Sequence, residues 1–306
     1  MSSDANVQEL NEGQHISGRG SLVDYSNLVK LPHTVFAMPF ALVGATIASY
    51  HHAITITQVA LILLAFTSAR FAAMAFNRIA DRAIDARNPR TQMREIPAGK
   101  LSVRQATISV VVSSAVFLAA AALLAPICLV LAPFALAWVF FYSYTKRFTR
   151  WAHLVLGFAL AIAPVGAYLA VAGRWSEPPT ALLALAGAVL CWVAGFDILY
   201  SLQDIEFDRS QGLHSVPSTL GASGALTVSR VLHLLSAVLF AALGFLLPEL
   251  GTLYLFGVAV IAVMLAYEQS LVRADDFSRV DAAFFTVNGI ISVLFFLIVL
   301  VERIFG

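Results

Sequence analysis

The sequence predicts an all-α integral membrane protein, a bundle of about nine transmembrane helices. Three observations carry that prediction. Of 306 residues, 59% are hydrophobic and 12% charged, about half the charged share of a soluble domain, which is roughly 25%. The apolar residues fall in long blocks, and a helix needs roughly 20 of them to cross a bilayer. Turn residues stand between the blocks and leave mostly short connections.

Residues 1–26 are polar and mixed in charge, without the apolar core of a cleaved signal. They are expected to form a flexible cytosolic tail, with 27–306 as one helical domain. The first block, 28–50, carries small residues such as Gly44 that suit helix packing. The second, 57–77, runs into an acidic stretch, and the third, 103–125, stops at Pro126. The fourth and fifth, 127–145 and 152–172, precede a turn at Gly173 and Glu177-Pro178-Pro179. The sixth, 180–202, enters a second acidic stretch. The seventh, 224–247, ends at Pro248; the eighth, 250–268, starts near Gly251; the ninth is 281–302. Cys128 and Cys191 lie inside apolar blocks and read as small core residues. A net charge of +1 gives no sign of a nucleic-acid partner.

Positive charge orients the bundle. Of 19 Lys and Arg residues, only Arg174 and Arg303 fall on the side reached after odd-numbered helices. The loop after the second helix alone holds Arg78, Arg82, Arg87, Arg90, Arg94, Lys100 and Arg104. The positive-inside rule places that face and the N-terminus in the cytoplasm, and the C-terminus opposite, in a cell (inner) membrane.

The acidic residues gather on the same face. Asp81-x3-Asp85 recurs as Asp204-x3-Asp208, each copy followed by a proline (Pro97, Pro217) and a new apolar helix. On a helix, Arg70, Asn77, Asp81 and Asp85 span about 80° of one side, and Asp197, Ser201, Asp204 and Asp208 about 60°. Arg70 and Asp197 lie within apolar blocks, where a charge costs about 2.5–3.5 kcal/mol and marks a functional candidate. Ion pairs at a membrane surface would explain one such cluster. Two clusters in register beside the arginines fit a more specific chemistry. Magnesium takes oxygen ligands, usually one or two carboxylates plus substrate phosphates. Facing carboxylate sets suit magnesium ions on one diphosphate, with Arg and Lys neutralising the remaining charge.

The residues also resemble the UbiA superfamily of membrane prenyltransferases. Asn77-Arg-Ile-Ala-Asp81-Arg-Ala-Ile-Asp85 fits its NxxxDxxxD motif. Arg94-Glu-Ile-Pro97-Ala-Gly99 is similar to its R-P-x-P-x-G segment, with Glu95 in place of proline. Tyr142-Ser-Tyr-Thr-Lys146 looks like YxxxK. Asp197-Ile-Leu-Tyr200-Ser201-Leu-Gln-Asp204-Ile-Glu-Phe-Asp208 resembles DxxYAxxDxxxD, with Ser201 for alanine. The resemblance covers residue 28 to the C-terminus and implies a nine-helix fold around a central cavity open to lipid.

It also implies roles. Asn77, Asp81, Asp85, Asp204 and Asp208 would bind magnesium and diphosphate. Arg70, Arg94, Lys146 and Lys30 would contact diphosphate oxygens, the two lysines otherwise snorkelling at the interface. Asp197 would orient the acceptor or a neighbouring cation. Tyr142 and Tyr200 would face a carbocation or simply join the aromatic belt. His33, beside Pro32, is either structural or a hydrogen-bond donor to an acceptor carboxylate, and His214 has the same two readings. Expected partners are a polyprenyl diphosphate, a small hydroxy-aromatic acid and the bilayer. The implied reaction is magnesium-dependent prenyl transfer to 4-hydroxybenzoate or a related acid in ubiquinone biosynthesis, or to a dihydroxynaphthoate for menaquinone. Two rivals differ in class. A secondary transporter would carry its ionisable residues near the midplane rather than at one face. A CDP-alcohol phosphotransferase would need Asp-Gly and an Ala-Arg pair that do not stand before Asp81.

Overall fold

A computed structural model describes residues 20–175 and 178–306, apart from the side chains of 21, 22 and 31–36. The tail up to residue 19 and the side chain of His33 lie outside the described residues.

Helices account for almost everything else, and among the described residues the one β-like pairing is an isolated bridge between Arg273 and Asp276. In order they are α1 (Ser21–Leu28), α2 (Leu31–Ala48), α3 (Ile56–Asp85), α4 (Val103–Leu124), α5 (Pro126–Thr145), α6 (Ala152–Ala172) and α7 (Pro179–Ser201). A 3₁₀ turn, Leu202–Asp204, leads into α8 (Ile205–Ser210), then α9 (Val216–Leu246) and α10 (Thr252–Leu271). A π-turn, Ala282–Val287, opens α11 (Asn288–Phe305). Eight of the spans are long and apolar enough to cross a bilayer, and α2 is the shorter ninth. The protein is thus a multi-pass membrane protein. Its surface is correspondingly apolar, with Val111, Phe134, Leu183, Phe245 and Phe256 exposed where lipid would lie.

Local chemistry sets the helix ends. Thr55 with Gln58 caps α3, and Ser102 with Gln105 caps α4, each side chain bonding the other's backbone N–H. The connection into α9 differs from the sequence expectation of a start near 224. Ser215 and Ser218 form a cap, Pro217 fills the first turn, and the helix begins at Val216 and kinks at Gly221, where φ is +71°. Only glycine takes that backbone without strain. The tail assignment also changes at its end, because residues 21–26 belong to α1. Leu28 and Val29 anchor that helix in a cluster with Ala75 and Leu101. Between α1 and α2, Lys30 takes left-handed backbone angles, φ 48° and ψ 62°, a conformation that costs a side-chain-bearing residue about 1–2 kcal/mol.

The most buried span is α7, packed between α6 and α9, while α2 lies against α6 and α11. Close approach is made by glycine. A Cβ on Gly44 would lie 1.8 Å from the Pro164 carbonyl oxygen, and one on Gly157 would lie 2.4 Å from that of Leu190. The small residue noted in the first block therefore serves packing within the chain, since backbone contact of this kind draws membrane helices together. Gly44→Val is expected to force α2 and α6 apart and destabilise the bundle by about 1–3 kcal/mol. A lower unfolding midpoint in detergent would show it; an unchanged midpoint would mean the contact is dispensable.

Candidate functional site

Both acidic stretches reach one end of the bundle. Asn77, Asp81 and Asp85 ride the last turns of α3. Asp204 closes the 3₁₀ turn and Asp208 lies on α8. The second cluster is therefore not one continuous α-helical face, as its spacing suggested. The 3₁₀ turn advances about 120° per residue rather than 100°, so Asp204 and Asp208 are rotated away from Asp197.

Each of the four motif carboxylates has its own cation. Arg147 Nη2 donates to Asp81 Oδ1 at 2.9 Å, and Asn77 Nδ2 donates to Asp81 Oδ2 at 2.8 Å. Arg94 Nη1 donates to Asp85 Oδ1 at 2.7 Å. Arg90 grips Asp204 with two nitrogens, Nε to Oδ1 at 3.0 Å and Nη2 to Oδ2, and Asn88 Nδ2 adds a bond to Oδ1 at 3.1 Å. Lys146 Nζ stands 3.7 Å from Asp208 Oδ2, an ion pair too long for a hydrogen bond. Because Asn88 and Arg90 follow the first motif yet bind the second, the connection after α3 ties the two together. That connection closes on itself through the Glu95 carbonyl, which accepts from Lys100 and Leu101, with Gly99 at φ +72° in the turn.

Lys146 lies between the motifs. It is within electrostatic reach of Asp208, Asp204 and Asp197 on one side and of Asp81 on the other. Burial alone would lower its pKa, but Asp208, Asp204 and Asp197 outweigh that and raise it, so the ammonium stays charged. Arg90 follows the same logic. Burial works against its charge, and Tyr200 and Asp204 more than compensate. Its Nη1 donates to the Tyr200 hydroxyl at 2.9 Å.

The remaining predicted residues are placed less centrally. Tyr142 sits one turn before Lys146, within reach of the charges on Asp197 and Asp81. Asp197 pairs with the fully buried His153, Oδ2 to Nδ1 at 2.7 Å. The other ring nitrogen, Nε2, accepts the Val216 N–H at 3.4 Å, so Nδ1 carries the proton and donates to Asp197. Arg70 lies on α3 two turns before Asn77, about 10 Å deeper along the axis. His214 is exposed, and only its backbone enters the site region, its N–H bonding the Lys146 carbonyl at 2.7 Å.

Sequence reasoning did not assign Arg90, Arg147, Asn88 or His153. Counting charge would have found the arginines, because four buried or half-buried carboxylates in one layer require four cations. His153 carried the same signal as Arg70, a titratable residue inside an apolar block.

Two features bear on a metal. Asp85 Oδ2 and Asp208 Oδ2, one from each motif, are buried without a hydrogen-bond partner. Among the described residues no three acidic, His or Cys side chains converge closely enough to hold a metal ion by themselves. Hard oxygen donors with open valence and no enclosing ligand set fit an ion such as magnesium, which shares its shell with phosphates and water. They do not fit zinc, which prefers a tetrahedral nitrogen and sulfur set.

Known proteins resemble this chain in sequence and fold. A family profile described as the UbiA prenyltransferase family matches residues 37–296. The 4-hydroxybenzoate octaprenyltransferase of Edwardsiella ictaluri (strain 93-146) is 31% identical over 242 residues, 76% of this chain and 81% of that protein. The apo structure of a UbiA homolog from Aeropyrum pernix K1 superposes with a TM-score of 0.79 at 35% identity, over 88% of this chain and 98% of that one. A UbiA homolog from Archaeoglobus fulgidus, bound to DMAPP and Mg2+, gives a TM-score of 0.72 over 92% of this chain and all 100% of its own. At 21% identity that likeness concerns the fold.

Proposed function

This chain belongs to the UbiA prenyltransferase family and is a membrane prenyltransferase, and from that premise we propose that it transfers a polyprenyl group to a small hydroxy-aromatic acid in quinone biosynthesis. The acceptor is 4-hydroxybenzoate or a related acid, with a dihydroxynaphthoate as the second reading. The observation that carries the proposal is the meeting of two acidic motifs around Lys146, each with one buried carboxylate oxygen that accepts no hydrogen bond. Curated relatives named 4-hydroxybenzoate octaprenyltransferase favour the first acceptor.

Asp81, Asp85, Asp204 and Asp208, with the Asn77 amide oxygen, would hold the magnesium. Bound there, magnesium supplies Lewis-acid stabilisation of diphosphate as a leaving group. Arg90, Arg94, Lys146 and Arg147 exchange their carboxylate partners for diphosphate oxygens, where charge-assisted bonds are strongest. Lys30 and Arg70 add charge from α2's start and from deeper in α3. As the allylic C–O bond breaks, Tyr142 and Tyr200 turn π-faces toward the developing cation, and the apolar bundle keeps water from it. Asp197, fixed through Oδ2 by the His153 Nδ1–H, uses Oδ1 to accept from the acceptor hydroxyl and orient the ring. The ring carbon beside that hydroxyl forms the new C–C bond to the allylic carbon and diphosphate departs. The proton on that ring carbon is lost to the released diphosphate or water, restoring aromaticity. The acidic face lies in the cytoplasm, in keeping with the excess of Arg and Lys there.

Membranes containing the protein, given 4-hydroxybenzoate or a dihydroxynaphthoate with prenyl diphosphates of several lengths, are expected to yield one prenylated acid identifiable by mass. Chelation of magnesium with EDTA is expected to stop the reaction, and added magnesium to restore it. Turnover that persists in EDTA removes the metal from the scheme. Ion-driven uptake without any prenylated product would favour a transporter instead.

A further inference from the structure

Outside the acidic site, α7, α9, α10 and α11 enclose a second polar group within the membrane span. Glu268 and Asn288 are fully buried, and Trp192 is 1% exposed. Polar atoms in such a place cost several kcal/mol each unless they are bonded. The bonds here converge on Asn288. Trp192 Nε1 donates to its Oδ1 at 2.7 Å. Its Nδ2 donates to Glu268 Oε1 at 2.9 Å and reaches the carbonyls of Ala283 at 3.0 Å and Phe284 at 3.2 Å.

Those two carbonyls belong to the π-turn Ala282–Val287. Such turns are rare and occur frequently at functional sites. In this one, the side-chain amide of Asn288 ties down the widened turn. The turn in turn sets Phe284, whose ring centroid is 4.2 Å from that of Tyr200 and 5.2 Å from that of Phe196. The Tyr200 hydroxyl takes the Arg90 bond, and Arg90 holds Asp204. Contacts therefore run without a gap from Glu268, inside the membrane span, to a carboxylate of the acidic site.

We infer that Asn288, anchored by Trp192 and Glu268, is a positioning residue for prenyl transfer, acting through the π-turn and Phe284 on the ring of Tyr200. This rests on the prenyl-transfer reading above. It adds residues that no motif marks and that touch neither diphosphate nor metal.

The test is a double-mutant cycle on the full chain in detergent or nanodiscs, using Asn288→Asp, Phe284→Leu and the pair. Each single change is expected to lower kcat about tenfold, since a small misplacement near the reacting atoms suffices. KM and inhibition by inorganic diphosphate should stay within about twofold, and the pair should fall no further than either single, because both cut one route. Glu268→Gln keeps an oxygen toward Asn288 and should retain kcat, whereas Glu268→Leu should behave like Asn288→Asp. Losses that multiply in the pair overturn the inference, as does a lowered unfolding midpoint with unchanged kcat. Where Asn288→Asp does not fold, Trp192→Phe removes the indole N–H together with the five-membered half of the buried ring and should show the same fall in kcat per folded protein; unchanged kcat there overturns the inference too. A wild-type protein that prenylates no aromatic acid overturns the underlying reading itself, and is recognised before any variant is compared.

Discussion

Replacing Asp81 or Asp204 with alanine is expected to lower prenyl transfer by about a thousandfold or more, a loss on the order of 4 kcal/mol in the barrier. Removing a single preorganised donor from a charged transition state already costs about 10²–10³ in rate. Each of these carboxylates carries more than one task. Asp81 holds Asn77 and Arg147 in place. Asp204 organises Arg90 and Asn88, and through Arg90 the Tyr200 hydroxyl. Either change should therefore remove a magnesium ligand and release a cation from its aim at once. Asp275, exposed on the connection after α10, is the control for bulk charge, and Asp275→Ala should leave turnover unchanged. The readout is product formed per folded protein at saturating magnesium. Near-normal turnover in both variants would sink the assignment of the two motifs.

How much of this was legible in the sequence differs by level. The span pattern was readable because burial in lipid demands long apolar blocks, and the helices from α3 to α7 end within a few residues of those blocks except where α3 continues to Asp85. That continuation carries polar residues, so hydropathy stops at 77 while the backbone does not. The motif carboxylates were readable because charge is scarce in this composition. What stayed hidden was partnership. Arg90 stands among seven basic residues of one loop, and nothing local distinguishes it from Arg87, whose Nε donates to the Ala83 carbonyl four residues back, at the end of α3. The pairing of Arg90 with Asp204 spans 114 positions and is decided by how the connection after α3 meets the 3₁₀ turn after α7, not by either sequence alone. The 3₁₀ turn before α8 was hidden for a related reason, since three residues, Leu202–Asp204, leave no periodic signal. Asn288, His153 and Glu268 read as isolated polar residues in apolar blocks until packing brought their partners to them.

Arg90→Met is expected to produce the largest loss of stability among single changes near the site. The Arg90 and Asp204 side chains are 14% and 10% exposed, and removing one partner of a buried pair costs about 3–5 kcal/mol, because the other charge is left uncompensated. Asn88 alone cannot neutralise Asp204, and Lys146 is already engaged with Asp208. The unfolding midpoint without magnesium should fall on the order of 10 °C. Magnesium should then raise the midpoint more in the variant than in the wild type. An ion that binds the folded state stabilises it by mass action, and in the variant it no longer competes with a guanidinium for the Asp204 oxygens. Inorganic diphosphate should bind more weakly, having lost a planar donor. Arg90→Lys restores the charge but neither the forked bonds to Asp204 nor the stacking on Tyr200, whose ring centre lies 5.0 Å from the Arg90 guanidinium carbon. It should therefore recover part of the stability and little of the diphosphate affinity. Equal midpoints for Arg90→Met and the wild type, with equal diphosphate affinity, would mean that the pair is incidental to the site. A smaller magnesium effect in the variant would mean that Arg90 and the ion do not share Asp204.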